Sequence, residues 1–121
     1  MSWQYQQASG WLLGPLGNVS QGYSGAKPDG VNNPMMESVV DVGPIPKGQY
    51  EIEGPIDTDA HGPYALPLIP AEGNEMFGRS GFLIHGDSIE ASGSASEGCV
   101  IMPRTAREAI WESGDHTLIV V

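Results

Sequence analysis

The chain has 121 residues, of which 40% are hydrophobic, enough for one domain over residues 1–121 with a modest core. Its 15 Asp and Glu against 5 Lys and Arg give a net charge of −10, which argues against nucleic acid or an anionic membrane as partner. One Cys excludes an internal disulfide and a Cys-built zinc cage, and no apolar run approaches the roughly 18 residues of a membrane span.

The chain opens with an alternating pattern. Trp3, Tyr5 and Gln7 share a face, Ser9-Gly10 reads as a turn, and Trp11-Leu-Leu13 returns, which is a hairpin signal. Residues 14–34 are punctuated by Gly-Pro, Gly-Asn, Pro-Asp-Gly and Asn-Asn-Pro and read as a long covering loop. Val39 to Val42 reads as a short strand. Gln49 to Glu53 alternates, with Tyr50 and Ile52 on one face. Ala65 to Ile69 is a further strand, which Pro67 demotes to an edge or a bulge. Gly81-Phe-Leu-Ile-His-Gly86 and Ser96-Glu-Gly-Cys-Val-Ile-Met102 read as two apolar strands joined by a Ser/Gly/Ala-rich loop. Pro103 opens a helix with Ala106 and Ile110 on one face, and Gly114 stops it. His116 to Val121 is a closing strand. The sum is about six or seven short strands and one helix, a mainly β fold of the sandwich or partly closed barrel type.

His85 and Cys99 carry the chemistry. If their strands pair antiparallel, imidazole and thiol come close, because adjacent strands lie about 4.8 Å apart. A free thiol is only a few per cent thiolate at neutral pH, and a neighbouring imidazole can take its proton and hold the ion pair. The competing reading is a buried structural Cys. His61 and His116 read as surface residues. A metal site from His61, His85, Asp87 and His116 lacks ligand spacing, and neither metal nor cofactor is expected.

The run Ser96-Glu97-Gly98-Cys99 with an upstream His resembles the signature of YkuD-type L,D-transpeptidases. The closer resemblance is to an L,D-transpeptidase-like effector family of type VI secretion. Its motifs match Gly22 to Gly25, Asn32 to Pro34, Val42 to Tyr50, Phe77 to Gly86 and Ser96 to Met102, nearly the whole chain. In the wider transpeptidase pattern, the position of Glu97 holds a His. The resemblance implies a YkuD-like fold and acyl transfer on a peptidoglycan stem peptide, as transpeptidase or L,D-carboxypeptidase. Cys99 is then the nucleophile, His85 the base and then the acid, and the Gly86 carbonyl orients the imidazole. The N–H groups of Gly98 and Cys99 are candidates for the oxyanion site. Arg79 is a candidate clamp for a terminal carboxylate. Ser96 shapes the turn or touches substrate. Glu97 either raises the thiol pKa or points to solvent.

Another cell-wall cysteine amidase or endopeptidase, and a non-catalytic cell-wall binding module, remain open alternatives. The opening Met-Ser-Trp-Gln-Tyr has no signal-peptide pattern. The expectation is synthesis in the cytoplasm, delivery by a secretion-system component, and action in the periplasm of a target bacterium. A periplasmic immunity protein is the expected further partner, a basic one in view of the acidity.

Overall fold

The computed structural model describes residues 2–121. The mainly β expectation holds: among the described residues ten strands form one mixed sheet that does not close into a barrel, with a single α-helix. In chain order the strands are β1 (Trp3–Tyr5), β2 (Trp11–Leu13), β3 (Val19–Gln21), β4 (Tyr23–Ser24), β5 (Gly48–Ile52), β6 (Ile56–Thr58), β7 (Gly62–Pro70), β8 (Leu83–His85), β9 (Val100–Ile101) and β10 (Thr117–Val120). The helix α1 spans Arg104–Glu112, between β9 and β10. The sheet order is β3-β2-β1-β10-β5-β7-β8-β9-β4, with β6 on β7.

The alternating patterns become buried faces. Trp3, Tyr5 and Gln7 are buried together, and so are Tyr50 and Ile52 of β5 and Leu118 and Val120 of β10. All but Gln7 join Leu66, Leu68, Ile84, Val100 and Met102 in one cluster. The helix closes it by burying Ala106 and Ile110. Full burial of a residue of this size stabilises by about 1.5–3 kcal/mol. Ser113 follows the helix and Gly114 takes φ 75°, the left-handed stop expected there.

Three expectations change. The stretch 14–34 is not all loop: it contributes β3 and β4, and β4 pairs antiparallel with β9. Val39 to Val42 forms turns instead of a strand, with Val39 and Val40 exposed. β7 is an inner strand despite Pro67, pairing with β5, β6 and β8. The register explains this. Along one side, β7 pairs with β6 near Ala65 and with β5 from Leu68 onward, and Pro67 falls in the gap. The carbonyl of Pro67 accepts the Glu53 N–H beyond the end of β5, and no ladder donor is needed from its own nitrogen.

Candidate active site

His85 ends β8, and Cys99 immediately precedes β9. The two strands are neighbours, but they run parallel, with Ile84 opposite Val100 and His85 opposite Ile101. The antiparallel pairing expected from sequence is thus corrected: the chain crosses over between the strands instead of turning back. Extending the register by one residue places Cys99 beside Leu83, and the Leu83 N–H points at Cys99 Sγ at 3.4 Å. Strand periodicity then puts Cys99 and His85 on one face as diagonal neighbours, with Cα atoms roughly 7–8 Å apart. Both line one cleft of about 560 Å³ together with His61, Phe82, Glu97 and Gly98.

The imidazole is held by one nitrogen. His85 Nδ1 lies 2.9 Å from the Gly86 carbonyl, and His85 is only 2% exposed. A carbonyl only accepts, so Nδ1 carries the proton and Nε2 bears the free lone pair. Among the described residues the buried Nε2 has no hydrogen-bond partner, and no bond joins it to Cys99 Sγ. Burial pulls the His85 pKa down, with the Gly86 carbonyl opposing and the His61 and Arg107 charges adding to the fall. Burial pushes the Cys99 thiol up; the Leu83 N–H opposes this, Glu97 adds to it, and Arg79 opposes it. Both shifts favour a resting neutral thiol beside a neutral imidazole, not the ion pair.

Two buried serine hydroxyls build the turn that presents Cys99. Ser96 Oγ donates to the Cys99 carbonyl at 2.6 Å and accepts the N–H groups of Gly98 and Gly25, both at 3.0 Å. Ser24 Oγ donates to the Gly98 carbonyl and accepts the Ile45 N–H, both at 2.8 Å. Ser96 therefore shapes the turn. The Gly98 N–H is already engaged, which corrects its assignment to an oxyanion site; among the described residues the Cys99 N–H makes no hydrogen bond. Gly98 has φ 148°, and a Cβ there would meet Arg79 Nη2 at 2.6 Å and Phe82 Cε1 at 3.0 Å, so the position requires glycine.

Arg79 is placed otherwise than as a clamp. It is 7% exposed, and its Nη groups donate to the carbonyls of Glu37, Pro44, Gly43 and Glu97. Its planar fork ties the Cys99 turn to the segment before β5, and no Nη hydrogen is left for a substrate. Glu97 is exposed.

His61, read as a surface residue, belongs to the site. It sits at the turn into β7 with its ring centroid 4.6 Å from that of His85. His116 instead stacks on Trp111 at 4.1 Å and does not line this cleft. Among the described residues no group of His, Cys, Asp and Glu is arranged to hold a metal ion. Ser24 and His61 were the residues that sequence reasoning missed. The Gly-Tyr-Ser-Gly motif flagged the first, and nothing local flagged the second.

Among the described residues, no helix is long and apolar enough to cross a membrane. A comparison with curated proteins finds no match. The family model of the Tlde1 domain matches residues 18–118, from β3 into β10 and across every residue of the cleft. The chain therefore belongs to the Tlde1 domain family, a family of type VI secretion effectors.

Proposed function

We propose that this effector domain is a cysteine acyltransferase of the L,D-transpeptidase or L,D-carboxypeptidase type, acting on tetrapeptide stems of peptidoglycan. The observation that carries the reading is the shared cleft of Cys99 and His85, with Nδ1 fixed on Gly86 and the Nε2 lone pair free. Because burial keeps both groups neutral at rest, His85 acts as general base at the moment of attack. The thiol proton moves to Nε2 as sulfur bonds to the carbonyl carbon before the terminal residue. The oxyanion forms beside the Cys99 N–H. Collapse breaks the C–N bond, His85 returns the proton to the departing amine, and a thioester remains. Water or a second amine then takes the acyl group.

Mass spectrometry of purified stems tests this. The wild-type domain is expected to remove or exchange the terminal residue, and Cys99→Ala to do neither with the fold intact. Cleavage of glycan strands, or of the sugar–peptide amide, refutes the reading. The lack of a thiol–imidazole hydrogen bond favours one competitor, a binding module with an inert Cys; stems that bind without changing mass would establish that instead.

The proposed place of action is the periplasm of a target cell, reached by type VI delivery, with a basic periplasmic immunity protein protecting the producer. Expression with and without a periplasmic signal sequence checks this. Equal toxicity of the cytoplasmic form contradicts it.

A further inference from the structure

A second cleft, of about 900 Å³, shares His61 and His85 with the first but does not include Cys99. Arg104 and Arg107 line it. They are two of the chain's 5 cations, set among 15 acids. We infer that these two guanidiniums form a carboxylate-binding subsite on the leaving-group side of His85.

The first observation is the hydrogen bonding of Arg107, which is 6% exposed. Its Nε donates to the Met102 carbonyl at 3.2 Å, and its Nη1 to those of Pro63 and Tyr64, both at 2.9 Å. Among the described residues Nη2 has no hydrogen-bond partner and is not fully buried, and Arg107 lines the cleft. It also lies against Gly86: a Cβ built on that glycine would be 2.9 Å from Nη2. Arg79 differs in having every Nη hydrogen directed at a carbonyl.

The second observation is convergence on Tyr64. The Arg104 guanidinium stacks 4.6 Å from the ring centroid of Tyr64, whose carbonyl Arg107 holds. Among the described residues only the Arg104 Nε has an acceptor, Glu108 at 3.3 Å, and this ion pair is exposed. Besides the desolvation of Arg107, the nearby Arg104 charge disfavours its ionised form, a repulsion that a bound anion would relieve. The amino end of α1 opens on the same wall, with no acid in its first turn. Three acids also line the cleft. The Asp87 carboxylate is occupied by Tyr23, Ser88, Ser92 and Gly93, while Asp59 and Glu90 are exposed and screened by solvent.

The order of groups fits the reaction. Cys99 takes the carbonyl carbon, and His85 protonates the departing amine. A terminal residue carries its carboxylate one carbon beyond that amine, and the second cleft, which adjoins His85, presents the Arg104 and Arg107 side chains to it. The identity of the ligand rests on the acyl-transfer reading; the anion preference does not.

The test therefore measures binding without turnover. Cys99→Ala protein is titrated with a stem tetrapeptide bearing a free terminal carboxylate and with its terminal amide. The free acid should bind about 10- to 100-fold more tightly, the range for a charge-assisted contact. Arg104→Glu, an exposed change that should fold, is expected to abolish or reverse the preference. Arg107→Lys, which keeps charge but loses the fork, should shrink it severalfold, with folding verified by thermal melts. Equal binding of acid and amide, no binding of either, or a preference untouched by Arg104→Glu overturns the subsite. If the preference holds while the wild-type domain leaves stem masses unchanged, the subsite stands and the acyl-transfer reading fails.

Discussion

Ser24→Ala isolates the support beneath the nucleophile. Ser24 is fully buried, and its hydroxyl is shared by the Gly98 carbonyl and the Ile45 N–H. Removing Oγ strands one buried acceptor and one buried donor. Each unsatisfied group costs about 1–3 kcal/mol, so the sum is about 2–6 kcal/mol, and the methyl left behind fits without strain. Against a total stability of about 5–15 kcal/mol this is a large fraction. At about 4 °C per kcal/mol the melting temperature should fall by roughly 8–24 °C. Urea denaturation gives the free energy directly. The exposed Ser38→Ala is the control and should stay within about 0.5 kcal/mol. The Gly98 carbonyl belongs to the residue before Cys99, so the turn should also loosen, and the rate of Cys99 alkylation should change in the folded mutant. A loss under 1 kcal/mol with unchanged alkylation would show that Ser24 does not hold the turn.

Two further expectations concern charge. Burial holds the Cys99 thiol above its ordinary range, so its alkylation rate should still climb with pH where a free thiol, with pKa about 8.5, has levelled off. Glu97→Gln should move that profile to lower pH by removing a like charge, and a thiol titrating below the ordinary value would contradict the neutral-pair resting state. Arg79→Met should destabilise the domain by about 3 kcal/mol or more in chemical denaturation, since it leaves the carbonyls of Gly43 and Pro44 buried and unpaired. It should leave the acid-over-amide binding preference intact, and loss of that preference in folded protein would return the clamp to Arg79.

Local pattern in the chain set much of this architecture. Alternation at Trp3, Tyr5 and Gln7 and at Tyr50 and Ile52 fixed which faces are buried, because a strand's side chains repeat every two residues whatever its partner is. Pro103 and Gly114 bracketed the helix, because both act through their own backbone. His85 and Cys99 stood out by residue type beside loop boundaries. What the pattern could not supply was partner and direction. The period of two is the same for parallel and antiparallel pairing, so the parallel β8–β9 register became visible only when assembled. Pro67 was misjudged because its tolerance depends on where β5 ends and β6 begins. The same limit separates the arginines. Arg79, Arg104 and Arg107 are equivalent as letters; which guanidinium keeps a free edge is decided by carbonyls from distant segments. His61 meets His85 because the turn into β7 folds over the end of β8, a contact between segments far apart in the chain that no local pattern encodes.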